Sequence, residues 1–246
     1  MIPIGDDNTD RHRTPYVTWL LIALNIFVFV VIQGMGSNER VVLAFATIPA
    51  EILSGHDIAE VIAVRDPYGR VVDQVEILPT PVPVYLTLLT AMFMHGGFAH
   101  LLGNMLYLWI FGDNLEDAMG HARYLAFYLA TGIAAGLAHV LVTAVFGNNP
   151  LIPCIGASGA ISGVLGGYIV LFPRKRVHVI AFYQMMHVPA IFAIGIWFVF
   201  QLVSGAGSVV GNVGGVAYGA HIGGFLAGMI LVRFFVTRRP VALQGA

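Results

Sequence analysis

The chain has 246 residues, of which 58% are hydrophobic and 10% are charged, and its formal net charge is −1. Soluble domains are typically about 45–50% apolar and about 25% charged, so this composition argues against a soluble globular enzyme and against a disordered protein. The balanced charge offers no basic surface for nucleic acid, and the single cysteine, Cys154, excludes an intrachain disulfide and a cysteine metal cluster. The 29 glycines favour closely packed membrane helices.

Charged residues are absent from four long intervals, which divide into six apolar segments. The charge-free intervals are residues 14–38, 77–112, 124–173 and 177–232. A membrane-spanning helix needs about 20 apolar residues, so the first two intervals fit one span each. The last two are interrupted by a polar or glycine-rich break and fit two spans each. The predicted spans are residues 16–33, 96–112, 124–146, 153–172, 186–204 and 216–236.

Lysine and arginine determine the predicted orientation. With the N-terminus inside, nine of the twelve Lys and Arg residues fall on the cytoplasmic side, so both termini are predicted to be cytoplasmic. The first span is interpreted as a retained anchor, because the residues after it make a poor signal-peptide cleavage site. The predicted organisation is a cytoplasmic tail (residues 1–15), one membrane domain (16–237) and a second cytoplasmic tail (238–246).

A long outer loop, residues 34–84, lies between the first two predicted spans. Residues 40–53 and 58–64 are predicted to form short amphipathic interfacial helices. The sequence Asp66-Pro67-Tyr68-Gly69 is typical of a turn. The sequence indicates no internal repeat and no second domain.

Polar side chains inside the membrane are costly and are therefore functional candidates. They occur on the three even-numbered spans: His95, His100 and Asn104 on the second, Ser158 and Ser162 on the fourth, and His221 on the sixth. All three spans begin on the outer side in the predicted topology. The polar groups therefore lie at a similar depth, just below the outer surface, as one buried site would require.

Ser158 and His221 are the residues from which a nucleophile and its base could be formed. A serine hydroxyl is a weak nucleophile until a base takes its proton, and the small residues around both positions would let the two helices touch. No Asp or Glu follows Arg123, so a Ser-His dyad is the version available there. Asn104 shares a helix face with His100 and offers an amide donor for an oxyanion. A backbone N–H at the start of the fourth span offers another.

Three motifs lie on the even-numbered spans. They are His95-(x4)-His100-(x3)-Asn104, Gly156-Ala157-Ser158-Gly159 and Ala220-His221-(x2)-Gly224-(x3)-Gly228. Together, and in this order, they resemble the motifs of the rhomboid family of intramembrane serine proteases, and the resemblance covers about residues 14–237. It implies an all-α integral membrane protein, a six-transmembrane-helix bundle of rhomboid type. It also implies cleavage of transmembrane-protein substrates in or near their membrane-spanning segment.

The resemblance also implies roles for individual residues. Ser158 would be the nucleophile and His221 the general base, while His100, Asn104 and the Ser158 backbone N–H would hold the oxyanion. His95 would order the outer end of the site and its water.

Further expectations follow from the same resemblance. Gly156 and Gly159 would support the nucleophile, and Glu116 would be a structural acid at the inner end of the second span. The fifth span and residues 204–219 would form a mobile gate that admits substrate laterally from the lipid bilayer. The implied chemistry uses no metal and no cofactor. The compact six-span form without an extra domain looks like a bacterial inner-membrane member, with an organelle membrane as the alternative.

Two positions depart from the family pattern. Many members have a Trp-Arg pair in the first loop, where this chain has Tyr85-Leu86-Thr87. Some members have an aromatic residue four positions after the nucleophile that stacks on the catalytic histidine, where this chain has Ser162.

Several alternatives stay open at this point. Ser162 is a rival nucleophile, one helical turn after Ser158. A metal-dependent hydrolase could use His95, His100 and His221 as zinc ligands, although no acidic residue lies in the core. An inactive relative that binds transmembrane helices, or a transporter, is the non-catalytic alternative. His139 and Cys154 are interpreted as structural residues, and Arg174-Lys175-Arg176 as a cytoplasmic loop.

Overall fold

The computed structural model describes residues 1–65, 70–146, 149–211 and 217–237, with residues 60, 62–65, 72–75 and 208–211 described by their backbone. The α-helices are α1 (Tyr16–Phe27), α2 (Glu39–Ala44), α3 (Pro49–Ser54), α4 (Thr87–Thr90), α5 (Phe98–Met119), α6 (His121–Phe146), α7 (Ser158–Leu171), α8 (Ala190–Gly211) and α9 (Tyr218–Phe235). The strands are β1 (Ile2–Asp6), β2 (Glu60–Arg65), β3 (Val71–Ile77), β4 (Arg176–Ala181) and β5 (Gln184–Pro189). A π-helical turn, Val28–Ile32, continues α1.

Helix α7 lies at the centre of the fold. Nearly all of its side chains are buried, as expected for a helix that is apolar on every face. Helices α5, α6 and α9 surround it. The aromatic core between them contains Phe111, Tyr124, Phe127, Tyr128 and Tyr168.

Small residues bring α7 and α9 together. A Cβ atom at Gly166 would overlap the carbonyl oxygen of Phe225, and one at Gly224 would overlap the carbonyl oxygen of Gly159. The two backbones therefore touch, which is the arrangement that small residues allow between membrane helices.

Three of the described helices are long and apolar enough to cross a bilayer: α6, the Ala190–Gly207 part of α8, and α9. A fourth is obtained if the bent pair Val84–Phe93 and Phe98–Met119, which meet at 83°, forms one span. The stretch Tyr16–Ile32 and helix α7 are apolar but shorter. The mostly helical, membrane-spanning character predicted from the sequence is confirmed, whereas the number of spans and the orientation of the termini stay predictions.

Two small antiparallel sheets correct the all-α prediction. In the outer loop β2 pairs with β3, so residues 58–64 do not form the predicted helix. A short apolar run rich in β-branched residues fits either type of element, and the cross-strand partner decides for the strand. Residues 40–53 do contain the helices α2 and α3. The predicted turn at residues 66–69 lies outside the described residues.

The second sheet has the strand order β1-β4-β5. It pairs residues near the N-terminus with the segment between α7 and α8, which the sequence predicts to be a loop followed by a span. Residues 184–189 therefore belong to β5, and the fifth apolar helix begins at Ala190 rather than at residue 186. It continues to Gly211, past the predicted break at residue 204. Val177 and Val179 of β4 are fully buried against the helices.

Helix α5 continues beyond the predicted end of the second span at residue 112. The acidic residues that suggested this boundary are buried and bonded instead. Glu116 Oε2 accepts hydrogen bonds from the backbone N–H of Thr18, at 2.8 Å, and from its hydroxyl, at 2.7 Å. Glu116 Oε1 accepts from the backbone N–H of Val17 at 2.9 Å. The predicted structural acid thus joins the C-terminal end of α5 to the start of α1.

Candidate active site

Ser158 is the first residue of α7 and follows a backbone conformation that favours glycine. Gly156 has φ +114°, and its N–H donates to the carbonyl of Ala91 at 2.8 Å. A Cβ atom at Gly156 would lie 2.7 Å from Nε2 of His100. Glycine at this position therefore permits both the turn before Ser158 and the close approach of His100.

The contact between α7 and α9 brings Ser158 and His221 together although 63 residues separate them. His221 Nε2 lies 2.8 Å from Ser158 Oγ. The other ring nitrogen, Nδ1, lies 2.7 Å from Oε1 of Gln201 on α8. Because an amide oxygen only accepts, this pairing corresponds to the tautomer with the proton on Nδ1, in which Nε2 is free to accept from the serine hydroxyl.

A cavity of about 510 Å³ lies in front of the serine and the histidine. Its lining includes His100 and Asn104 from α5, with Ser158 and His221. Asn104 is buried, and its Nδ2 has no hydrogen-bond partner among the described residues. The amide is therefore an available donor beside the serine, as an oxyanion site requires.

One contact bears on the tautomer of His100. The N–H of Gly96 donates to His100 Nδ1 at 3.4 Å. If Nδ1 accepts, the ring proton lies on Nε2, which is the nitrogen close to Gly156. Four predicted site residues, contributed by the three motifs, thus line one cavity: His100, Asn104, Ser158 and His221. Their catalytic roles stay predictions.

A family model described as the rhomboid domain matches residues 83–238. This chain belongs to the rhomboid family. The match includes the three motifs and the cavity between them, and it confirms the resemblance inferred from the motifs.

Curated rhomboid relatives come from several kinds of cell. The chain is 28% identical to Rhomboid protease GluP of Bacillus subtilis over 216 residues, which are 87% of this chain and 36% of that protein. It is 32% identical to Rhomboid protein 1, mitochondrial, of Saccharomyces cerevisiae over 148 residues, 59% of this chain and 40% of that protein. It is 29% identical to Rhomboid-like protein 11, chloroplastic, of Arabidopsis thaliana over 164 residues, 61% of this chain and 52% of that protein. The chain thus spans less than two thirds of the length of each.

The rival nucleophile of this rhomboid, Ser162, is engaged in its own helix. Its hydroxyl donates to the carbonyl oxygen of Ser158 at 2.7 Å. This back-bond to the preceding turn is a common arrangement for serine inside a helix. Ser162 contributes to the cavity wall but is almost fully buried.

His95 lies behind the cavity rather than in its lining. Its ring is fully buried and meets the ring of His100 edge-on at 5.1 Å. Its backbone is held by Gln33, which donates to the His95 carbonyl at 2.7 Å and accepts from the His95 N–H at 3.0 Å. Neither ring nitrogen of His95 has a partner among the described residues. This placement suits a residue that supports His100.

Other contacts occur at the two places where the chain departs from the rhomboid pattern. Where the Trp-Arg pair is absent, the Thr87 hydroxyl donates to the carbonyl of Val84, and the Thr47 hydroxyl donates to the Thr87 carbonyl at 2.9 Å. Where the stacking aromatic is absent, the rings of Trp197 and Tyr218 approach His221 with centroids 6.2 and 6.4 Å away.

Gln201 and Gln33 are polar residues of this site that belong to none of the three motifs. Both lie in charge-free intervals, so the cost of a buried amide was a signal that could have identified them.

Three other predictions concern residues around the rhomboid site. Cys154 forms a two-way backbone bridge with Thr47, with N···O distances of 2.8 and 3.0 Å, as a structural residue would. His139 belongs to α6 and does not line the cavity. In the part of the chain that the structure describes, no group of three or more His, Cys, Asp or Glu is arranged to hold a metal ion.

Proposed function

We propose that this rhomboid is an intramembrane serine endopeptidase that cleaves transmembrane-protein substrates in or near their membrane-spanning segment. The observation that carries the proposal is the 2.8 Å contact between Ser158 Oγ and His221 Nε2, in a cavity that also holds His100 and Asn104. A serine paired with an imidazole acceptor is the arrangement that activates a hydroxyl for acyl transfer.

In the proposed reaction, Ser158 Oγ attacks the carbonyl carbon of the scissile peptide while His221 Nε2 takes the hydroxyl proton. The tetrahedral intermediate collapses when the imidazolium returns this proton to the leaving amine, which breaks the C–N bond and leaves an acyl-serine. A water molecule then attacks the ester, again with His221 as general base, and releases the new carboxylate and the free serine.

The negative oxygen of the intermediate needs donors. We assign this role to Asn104 Nδ2, His100 Nε2 and the backbone N–H of Ser158, which belongs to the free first turn of α7. Gly156 acts by leaving room for His100 and Gly159 by leaving room for Ala135 of α6, while His95 acts by supporting His100. The proposed chemistry uses no metal and no cofactor.

We also propose how the chain lies in the bilayer. The six spans are Tyr16–Ile32, α5, α6, α7, α8 and α9, both termini are cytoplasmic, and the membrane domain covers residues 16–237 between the two tails. The substrate enters laterally beside α8, and the membrane is a bacterial inner membrane.

The test is labelling of the purified, folded protein by a fluorophosphonate probe. Labelling should occur in the wild type and in Ser162→Ala and should be absent in Ser158→Ala and His221→Ala. Labelling that is lost in Ser162→Ala would identify Ser162 as the nucleophile. A folded wild type that takes no label would favour an inactive, helix-binding relative, and hydrolysis that survives Ser158→Ala but stops with a chelator would favour the metal mechanism.

A further inference from the structure

The imidazole of His221 is held by a residue from a third helix. Gln201, on α8, is 7% exposed, and its Oε1 lies 2.7 Å from His221 Nδ1. The amide oxygen accepts the Nδ1 proton, which keeps Nε2 unprotonated and facing Ser158 Oγ at 2.8 Å. The contact therefore selects the tautomer that a general base requires.

The other neighbours of the imidazole do not replace this contact. Trp197 and Tyr218 present aromatic rings at 6.2 and 6.4 Å, which limit the movement of His221 but do not accept its Nδ1 proton in a directed bond. No Asp or Glu occurs after Arg123, so the second half of the sequence has no carboxylate to take this position.

We propose that Gln201 is a positioning residue that holds His221 in the productive tautomer and orientation; this inference rests on the proposed serine-protease function. Gln201 follows Trp197 by one helical turn on the same face of α8. The same helix also stacks Phe198 on Phe225 of α9, with ring centroids 4.1 Å apart. The orientation of the base therefore depends on α8 staying packed against α9.

The experiment measures two quantities for each variant with the fluorophosphonate probe. One is the rate constant of serine phosphonylation, and the other is the dissociation constant of the initial complex between probe and protein. Gln201→Leu removes the acceptor and should lower the rate constant about tenfold, the worth of one net hydrogen bond, without changing the dissociation constant. Gln201→Glu keeps an acceptor oxygen and should retain most of the rate. Val203→Ala, on the exposed face of the same helix, should react like the wild type.

The outcomes separate positioning from packing. A role in packing alone would lower the labelled fraction and the melting temperature but leave the rate constant of the folded fraction unchanged, and that result would overturn the inference. If Gln201→Leu reacts at the wild-type rate while Ser158→Ala takes no label, only the role of Gln201 fails. If the folded wild type takes no label, the proposed function fails together with it.

A second, independent observation concerns the outer face of the β1-β4-β5 sheet. Ile2 lies opposite Ile180, and Ile180 lies opposite Met185, so the three side chains form one cross-strand row. They are 58%, 44% and 64% exposed. Beyond this row, at the turn of the hairpin, Phe182 is 92% exposed and Tyr183 is fully exposed. We call these five residues the apolar tip.

The backbone of this turn makes the two aromatic residues more unusual. Phe182 and Tyr183 have φ +50° and +61°, the left-handed region that such turns usually fill with Asn and Gly. Bulky side chains are disfavoured in this conformation. Two exposed aromatic residues therefore occupy a position that neither water nor the backbone favours.

The sheet stands beside the apolar helix α8 rather than beyond its end. A cavity of about 240 Å³ is lined by Pro3 and Val179 of the sheet together with Ile196 and Phe200 of α8. Phe200 lies ten residues into the helix, about 15 Å from its start. Helix α8 itself has exposed apolar side chains, including Phe192 and Ile196.

We infer that the apolar tip is immersed in the interfacial lipid of the bilayer that holds α8. Aromatic side chains such as that of Tyr183 suit the region where acyl chains meet the headgroups. Arg174 and Arg176, both exposed at the base of the hairpin, are placed to meet anionic lipid phosphates.

An environment-sensitive nitrobenzoxadiazole (NBD) fluorophore tests this placement. It is attached to Tyr183→Cys or, as an exposed polar control, to Asp10→Cys, both in a Cys154→Ala background. In nanodiscs of phosphatidylcholine and phosphatidylglycerol, the fluorophore at position 183 should be quenched by doxyl-labelled lipid and protected from iodide. The fluorophore at position 10 should show the reverse.

Two results would overturn the lipid assignment. Equal iodide quenching at both positions would mean that the apolar tip lies in water. Protection from iodide without quenching by doxyl lipid would mean that a second copy or another protein covers the tip.

Discussion

Glycine residues make the proposed serine–histidine pair possible, because they remove the side chains that would separate α7 from α9. At Gly228 an added Cβ atom would overlap the carbonyl oxygen of Gly163, and at Gly224 it would overlap that of Gly159. Hydrogen-bond distances between Ser158 and His221 tolerate little displacement. The site therefore depends on residues that never touch a substrate.

Gly228→Ala should destabilise the protein by about 1–3 kcal/mol, the usual cost of overpacking, and should reduce labelling of Ser158 because α9 moves away from α7. Gly195→Ala is the matched control, since a Cβ atom at Gly195 meets nothing within 4 Å. Unfolding in SDS measures the change in stability, and the fluorophosphonate probe measures the change in labelling of Ser158. Equal stability of the two variants would contradict the packing argument.

At the scale of elements, the start of α1 is held by a carboxylate on another helix. The first backbone N–H groups of a helix have no partner inside it, and here those of Val17 and Thr18 donate to the buried carboxylate of Glu116. His121 Nδ1 lies 2.6 Å from Oε1 of the same carboxylate. One acidic side chain thereby joins α1, α5 and the start of α6.

Glu116→Gln should lower the free energy of unfolding by about 2–3 kcal/mol, because an amide group would turn a donor toward the buried donors around it. Asp117→Asn is the neighbouring control: Asp117 accepts from the N–H groups of His12 and Arg13, but in an exposed position. Asp117→Asn should lower the free energy of unfolding by less than Glu116→Gln, because water can replace the contacts of an exposed carboxylate. Chemical unfolding in detergent compares them, and equal losses would show that burial is irrelevant here.

At the scale of the whole molecule, a polar cluster fastens the N-terminal strand to the helices. Asp6 Oδ2 accepts from the hydroxyl of Tyr168 at 2.5 Å and from Nδ2 of Asn114 at 2.7 Å. Lys175 donates to Asn114 Oδ1 at 2.5 Å. The cluster therefore joins β1, α5, α7 and the segment before β4.

Burial raises the pKa of the Asp6 carboxyl from 3.8 to about 7, against the lowering effect of the Tyr168 hydrogen bond, while the charge of Asp113 raises it further. At pH values between about 4 and about 7, the Asp6 carboxyl is deprotonated in the unfolded chain but protonated in the folded chain. Unfolding then releases a proton, so stability falls as pH rises from about 4 to about 7 and is level above that range.

The melting temperature of the wild type should therefore fall relative to that of Asp6→Asn as the pH rises from 5 to 7. Asp7→Asn is the control, because a backbone hydrogen bond from Thr9 lowers the pKa of Asp7 and its effect is confined to more acidic solutions. If the melting temperatures of the wild type and of Asp6→Asn change in parallel between pH 5 and 7, the assignment to Asp6 is refuted.

The sequence by itself determined the class of protein and the residues of the proposed site. Charge-free intervals predicted apolar helices because charges are costly in lipid. The three motifs predicted which polar residues would meet, and Ser158, His221, His100 and Asn104 do line one cavity. The first conclusion needed only composition, whereas the second also drew on the resemblance of the motifs to those of the rhomboid family.

The tertiary structure decided what depends on contacts between distant segments. Residues 2–6 became a strand because β4, more than 170 residues later, provides a partner, and no local pattern encodes that pairing. The bond from His221 to Gln201 likewise required α8 to pack against α9. A buried amide signals that a partner exists, but only the packing of the helices determines which residue that partner is.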